Sequence, residues 1–166
     1  KEGCGEGDCG ACTVVVGSLD AGAPQGLALK AVNSCLMLLP ALDGKALFTV
    51  EDVASGSDLH PVQRALVELH ASQCGFCTPG FVMSLWADYE GRTGPPTREE
   101  TASVLSGNLC RCTGYRPLVD AARSAWDSPA VKLDRRPVTA ALEHVAASPP
   151  LEYTHGGQSW SAPRSL

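Results

Sequence analysis

The eight cysteines are the residues of this sequence whose type and spacing most clearly indicate chemistry. They fall into two groups of four: Cys4, Cys9, Cys12 and Cys35, followed by Cys74, Cys77, Cys110 and Cys112. The first group reads C-x4-C-x2-C with a distant fourth cysteine, which is the plant-type spacing for a 2Fe-2S cluster. The second group joins a C-x2-C pair to a C-x-C pair 32 residues later. The spacing therefore predicts one plant-type cluster and a second thiolate site of a different kind.

Three other uses of these thiols compete with that interpretation. Four disulfides are typical of small secreted domains, but a chain of 166 residues with 44% hydrophobic residues has little need of such cross-links. Structural zinc favours C-x2-C half-sites, so a zinc-binding interaction module is the alternative from another class. A Rieske cluster needs two histidines and two cysteines, and the sequence has no C-x-H spacing among its four histidines.

Glycines at positions 3, 5, 7 and 10 surround the cysteines of the first group. Glycine adopts backbone conformations that are closed to other residues. We therefore expect this loop to wrap closely around a cluster and to point backbone N–H groups at the ligand sulfurs, which would tune the reduction potential.

The elements that must position these thiols change character along the chain. Apolar and β-branched runs predict short strands over 13–16, 27–32 and 46–50. Helical periodicity then predicts four helices. The first covers 61–72, and the second covers 78–91 with Thr78 as its cap. The third begins at the capping box TREE (97–100) and ends near 107, and the fourth begins at Pro117. His60 is interpreted as an ordinary residue at a helix start. Both cysteine pairs of the second group then lie in turns next to helix N-termini, where the helix dipole favours thiolates.

Composition argues against several classes of partner. The net charge is −5 and no stripe of lysine and arginine alternates with aromatic residues, which argues against a nucleic-acid surface. No apolar run approaches the roughly 18 residues of a membrane span. Eight thiol ligands indicate a reducing compartment, so we expect the cytoplasm. Because the chain begins at Lys1 with a ligand-type cysteine at position 4, we interpret it as a fragment truncated at both ends.

Four stretches together resemble the iron–sulfur part of the molybdenum hydroxylase family, also called the xanthine oxidase family: GCGEGDCGACTVVV, SCLMLLPALDGKALFTVED, LHPVQRALVELHASQCGFCTPGFVMSL and GNLCRCTGYRPLVDAA. The resemblance covers residues 1 to about 126 and includes all eight cysteines. It is strongest with the iron–sulfur small subunits of bacterial xanthine dehydrogenases. The GEGD sequence between the first two cysteines is closer to the xanthine dehydrogenase and aldehyde oxidase branch than to other small subunits.

The resemblance implies an α+β fold built from consecutive parts. Residues 1–53 would form a partial β-grasp ferredoxin domain of the plant type, without its opening hairpin and helix. Residues 54–126 would form a four-helix, 2Fe-2S-binding bundle. The prolines within residues 127–150 predict a linker with one short helix near 138–147. By the resemblance, residues 151–166 would begin an FAD-binding domain.

The resemblance also implies ligand sets and a direction of electron flow. Cys4, Cys9, Cys12 and Cys35 would hold the plant-type cluster, nearer the flavin, while Cys74, Cys77, Cys110 and Cys112 would hold a second 2Fe-2S cluster, nearer the molybdenum centre. Gln73 and Cys112 would approach the molybdopterin. Hypoxanthine and xanthine would be hydroxylated, to urate, on a separate molybdenum-binding large subunit. Electrons would pass through both clusters to FAD and NAD within a hetero-oligomer.

The sequence itself contains no recognisable substrate or nucleotide site. Neither G-x-G-x-x-G nor a P-loop is present, so we assign the chain no catalytic residue and no motif for purine, flavin or nicotinamide. Its expected part in an oxidoreductase is electron transfer. The same part in an aldehyde oxidase or in another N-heterocycle hydroxylase is the alternative.

Overall fold

The computed structural model describes residues 1–149 and 151–162. Along these residues the elements are β1 (Thr13–Leu19), β2 (Leu27–Asn33), β3 (Ala46–Phe48), α1 (Pro61–Glu68), α2 (Thr78–Gly91), α3 (Arg98–Val104), α4 (Arg116–Ser124), α5 (Arg136–Ala147), β4 (Leu151–His155) and β5 (Gln158–Ala162). The chain is thus a mixture of sheet and helix, with the strands of its first half segregated from the helices that follow. Among the residues described, no helix combines the length and apolar character needed to cross a lipid bilayer.

β1 is the central strand of a three-stranded sheet in the order β2–β1–β3, and both pairings are antiparallel. The strands predicted over 13–16, 27–32 and 46–50 are all present, although β1 continues to Leu19 and β3 ends at Phe48. β3 ends early because Thr49 caps a 3-10 turn over Val50–Asp52. The carboxylate of that turn's last residue accepts a hydrogen bond from the Thr49 N–H at 2.7 Å.

Helix α2 lies at the centre of the molecule, packed against β1, β2 and α1. It is buried around most of its circumference, as expected for a helix that is hydrophobic on all sides, and its buried side chains include Phe81, Met83, Leu85, Trp86 and Tyr89. The same core includes Val15, Leu27 and Phe48 of the sheet. One hydrophobic core therefore draws on both the predicted ferredoxin part and the helical part, and the boundary at 53/54 stays a prediction.

Helices α1 and α2 each differ from the sequence prediction at one end. α1 ends at Glu68 instead of continuing to 72, because His70 adopts a left-handed conformation (φ 52°) and the Ala71 N–H donates to the Leu66 carbonyl at 2.9 Å. This bond closes the helix with a tight C-terminal turn. The predicted capping role of Thr78 is wrong. Thr78 is the first residue of α2, and the N-cap is Cys77. The Thr78 hydroxyl instead forms a hydrogen bond with the Ser72 hydroxyl.

The segment predicted as a linker is fastened to the body of the protein and contains α5, which begins two residues before the predicted helix. Arg135, just before α5, is 5% exposed and donates to the carbonyl of Leu27 and to that of Glu90, each at 2.8 Å. Its guanidinium also lies 3.6 Å from the Glu90 carboxylate. Pro150 of the predicted linker and residues 163–166 of the predicted C-terminal domain lie outside the described residues.

Candidate metal centres

The β1–β2 hairpin brings together the cysteines of the first group. The loop carrying Cys4, Cys9 and Cys12 runs directly into β1, and Cys35 follows β2. Because Thr13 and Asn33 are paired at the same end of the hairpin, the residues just outside them are neighbours. Ser34 fixes this junction, since its backbone N–H and its hydroxyl both donate to the Cys12 carbonyl, at 3.3 and 2.8 Å.

Backbone N–H groups in the first loop point at a sulfur, as the glycine pattern predicts. The Cys9 N–H donates to Cys4 Sγ at 3.4 Å. This amide and those of Glu6 and Asp8 lower the pKa of the Cys4 thiol to about 7. The loop bends in this way because Gly5, Gly7 and Gly10 have positive φ, a region that disfavours side chains.

The other two thiols of the first group, Cys12 and Cys35, interact directly with each other. Burial acts to raise the pKa of Cys12, but hydrogen bonds from the Cys35 amide and thiol outweigh it and lower that pKa. The same thiol–thiol bond raises the pKa of Cys35. A metal ion that binds this pair would displace the thiol protons, because the thiolate is the form that ligates a metal.

The second group assembles from two loops that helix packing brings side by side. Cys74 and Cys77 lie between α1 and α2, while Cys110 and Cys112 lie between α3 and α4. The sulfurs again form pairs, here across the two loops: Cys74 with Cys112, and Cys77 with Cys110. Each cysteine of the first loop therefore faces one cysteine of the second loop.

These cross-loop pairs separate the acidities of their members. The Phe76 amide, followed by the Cys112 thiol, lowers the pKa of Cys74, and that thiol–thiol bond raises the pKa of Cys112. Burial, reinforced by the Cys110 thiol, raises the pKa of Cys77 to about 11.

Cys110 receives support that the sequence did not reveal. The Thr113 hydroxyl and backbone N–H donate to Cys110 Sγ at 3.3 and 3.5 Å. These bonds outweigh burial and lower the pKa of the Cys110 thiol. The Tyr115 hydroxyl accepts from the Cys110 N–H at 2.8 Å, and Tyr115 itself has a left-handed backbone (φ 69°). The threonine one residue after C-x-C was the only feature of the sequence that could have indicated the hydrogen bond to Cys110. No sequence pattern indicates the left-handed backbone conformation of Tyr115.

The two groups lie next to each other and share a cavity. The Leu109 N–H donates to the Cys9 carbonyl at 2.8 Å, which joins the loop of the second group to that of the first. The cavity, of about 270 Å³, is lined by six cysteines drawn from both groups: Cys4, Cys9, Cys74, Cys77, Cys110 and Cys112. The approach depends on glycine, because a Cβ on Gly80 would overlap the Gly10 carbonyl oxygen and a Cβ on Gly10 would overlap that of Gly107.

The remaining candidate residues lie where their sequence positions suggest. Gln73 is exposed immediately before Cys74, and Cys112, the partner of Cys74, is exposed as well, so the two candidate pterin contacts occupy one outer edge of the second group.

His60 is the N-cap of α1, and its Nδ1 accepts from the Val62 N–H at 3.2 Å. Burial lowers its pKa to about 4, although the Glu90 carboxylate lies 4.0 Å away. Its interpretation as a helix-start residue is confirmed.

The chemistry of this donor set fits iron–sulfur clusters. All eight cysteines are free thiols. A 2Fe-2S cluster divides its four protein ligands between two irons. Each quartet is composed of two interacting pairs, which matches that division.

Comparisons with known proteins place these features in a family context. Residues 49–123 match the 2Fe-2S binding domain family. The chain is 53% identical over 125 residues to a xanthine dehydrogenase from Blastobotrys adeninivorans, which covers 75% of this chain and 9% of that protein. The chain thus spans about a tenth of the length of this curated relative.

Two solved structures have the same fold over most of the chain. Quinoline 2-oxidoreductase from Pseudomonas putida 86 aligns with a TM-score of 0.64 and 36% identity, covering 76% of this chain and 72% of that one. Aldehyde oxidoreductase from Desulfovibrio gigas aligns with a TM-score of 0.65 and 36% identity, covering 78% of this chain and 14% of that one.

Proposed function

Because the chain belongs to the molybdenum hydroxylase family of oxidoreductases, we propose that it is the electron-transfer segment of such an enzyme and carries two 2Fe-2S clusters. The observation that carries the proposal is the assembly of eight free thiols into two adjacent quartets, each built from interacting pairs. Bound clusters would supply one-electron oxidation and reduction. The ligands would be Cys4, Cys9, Cys12 and Cys35 for the plant-type cluster, and Cys74, Cys77, Cys110 and Cys112 for the other.

The contact between the two cysteine loops supports transfer from one site to the other. Cys9 and Cys110 are linked by a short covalent and hydrogen-bonded route, because the Cys9 carbonyl accepts from the N–H of Leu109, the residue before Cys110. No side chain separates the two loops where Gly10 meets the Gly107 carbonyl. The Leu109–Cys9 hydrogen bond and the close approach at Gly10 thus keep the two cluster sites close together.

Electrons would enter at the second site and leave from the first. Gln73 and Cys112 form an exposed edge of the second quartet, where a molybdopterin on a molybdenum-binding large subunit would approach. The first quartet would face an FAD domain, with NAD as the final acceptor. The β4–β5 hairpin supports a continuing domain: its Tyr153 and Trp160 rings stack at 5.1 Å and remain exposed, and an isolated hairpin is marginally stable in water.

Xanthine is the substrate we propose for the whole enzyme, with purine breakdown in the cytoplasm as its setting. The 53% identity to a xanthine dehydrogenase supports this choice. An aldehyde or another N-heterocycle is the second candidate, because aldehyde oxidoreductase and quinoline 2-oxidoreductase are similar over three quarters of the chain. Purifying the enzyme from its native host with this chain as bait, and assaying it with xanthine, an aldehyde and quinoline, would decide between them.

The cluster proposal is tested on the full 166-residue chain after anaerobic reconstitution with iron and sulfide. We expect a red-brown protein with two irons per cluster and two distinct EPR signals after reduction. A colourless chain that binds zinc in preference to iron would refute the proposal. So would iron-loaded protein with a single kind of reduced signal.

A further inference from the structure

Asn108 is a buried amide that lies between the two cysteine quartets. It is 5% exposed, although asparagine is usually found at the surface. Its side-chain NH2 donates to the Gly10 carbonyl in the first cysteine loop at 3.1 Å, and to the Thr13 hydroxyl at the start of β1 at 3.3 Å. Its side-chain oxygen accepts from the Ser84 hydroxyl of α2 at 2.7 Å. The amide therefore uses both its donors and its acceptor to join the first loop to the central helix.

The backbone around Asn108 extends the same connection to the second quartet. The Asn108 carbonyl accepts from the Tyr115 hydroxyl at 3.1 Å, and that hydroxyl in turn accepts from the Cys110 N–H at 2.8 Å. The next residue, Leu109, donates its N–H to the Cys9 carbonyl. Residues 108–110 thus contact a ligand-bearing loop on either side.

Hydrogen bonds join the two loops at this junction. Gly10 approaches the Gly107 carbonyl so closely that a Cβ would not fit, so no side chain can act as a spacer at that point. An amide that loses its partners in such a place leaves buried groups unsatisfied, which is costly. The Asn108 amide and the Leu109 N–H therefore hold the two loops at this close approach.

We propose that Asn108 is a positioning residue that fixes the separation of the two clusters, and through it the transfer of electrons between them. The inference rests on the proposed function, because it requires both quartets to hold clusters. Asn108 is not a ligand, so its effect is on the distance between the clusters and not on their assembly.

The test compares three forms of the full chain after anaerobic reconstitution: the natural sequence, Asn108→Ala and the control Thr101→Val. Thr101 is 1% exposed, and its hydroxyl donates within the α3 region, away from both loops, so the control also loses a buried hydrogen bond. With both clusters reduced, pulsed EPR measures their magnetic dipolar coupling, which falls with the cube of their separation. We expect Asn108→Ala to retain both cluster spectra but to lose the resolved coupling, and the control to retain it.

Each other outcome has a defined meaning. If Asn108→Ala lowers the denaturation midpoint but keeps the coupling of the natural chain, its role is structural and the inference is overturned. If Asn108→Ala does not hold its clusters, Asn108→Asp gives the same measurement, because it keeps the acceptor for Ser84 and loses the NH2 donors to the first loop; unchanged coupling in that variant overturns the inference. A natural chain without two clusters refutes the proposed function instead.

Discussion

Replacing Thr113 with valine should lower the reduction potential of the second cluster and leave the first unchanged. The Thr113 hydroxyl donates to Cys110 Sγ at 3.3 Å. Reduction makes the ligand sulfurs more negative, so a donor to sulfur stabilises the reduced state. Valine has nearly the same shape but removes the hydroxyl donor, while the backbone N–H at 3.5 Å remains.

The size of the shift follows from the strength of one hydrogen bond to a charged acceptor. Such bonds contribute about 1.5–3 kcal/mol, and only part of this differs between oxidation states. If that part is about 1 kcal/mol, the one-electron conversion of about 59 mV per tenfold change gives a decrease of about 40 mV.

An anaerobic redox titration followed by EPR would measure both potentials in one sample, with the first cluster as the internal reference. Thr113→Ser keeps the hydroxyl and is the matched control, for which we expect a potential close to that of the natural chain. A valine variant with an unchanged second potential would refute the reasoning. An equal shift in both clusters would mean that the substitution acts through the fold and not through Cys110.

Three further predictions concern ligation, packing and pH. Cys110→Ser should abolish the second cluster's spectrum and keep the plant-type spectrum, whereas loss of both would mean that the sites do not assemble separately. Gly80→Ala should destabilise the chain by about 1–3 kcal/mol in denaturant unfolding, because its Cβ would overlap the Gly10 carbonyl; unchanged stability would contradict the close approach. Burial holds His60 at a pKa of about 4 against an ordinary value of 6.5, so up to about 3 kcal/mol of stability, present above pH 6.5, should be lost as the pH falls to 4. His60→Asn keeps a capping residue without the titration and should have a flatter stability profile over that range; equal profiles would contradict this assignment.

Local patterns predicted the elements of this fold well, because those elements are determined by neighbours in the sequence. The capping box at Thr97 and Glu100 is present, with hydrogen bonds of 2.7 and 3.2 Å in the two directions. The three strands also lie at the predicted places. The early end of α1 was missed because it depends on the left-handed conformation of His70, which residue type does not indicate.

The candidate site could be predicted as a set of ligands but not as an assembly. Spacing groups the cysteines, yet it does not reveal that Cys74 pairs with Cys112 and Cys77 with Cys110, since that depends on how α1, α2 and α4 pack. The roles of Asn108 and Tyr115 were not visible for the same reason. Their partners are set by tertiary contacts and by backbone conformations that no short motif encodes.

The bond between Asn108 and the Gly10 carbonyl joins residues 98 positions apart and has a consequence for biogenesis. A ribosome adds about 5–20 residues per second, so Asn108 is synthesised about 5–20 s after Gly10, the residue of the first cysteine loop to which it binds. During that time the first cysteine loop has emerged without its contacts to Asn108 and Leu109. We therefore expect iron to be delivered to a completed chain, with both sites loaded after synthesis and not in the order in which their ligands are made. A chain ending before residue 108 should lose its first cluster to chelators much faster than the full chain.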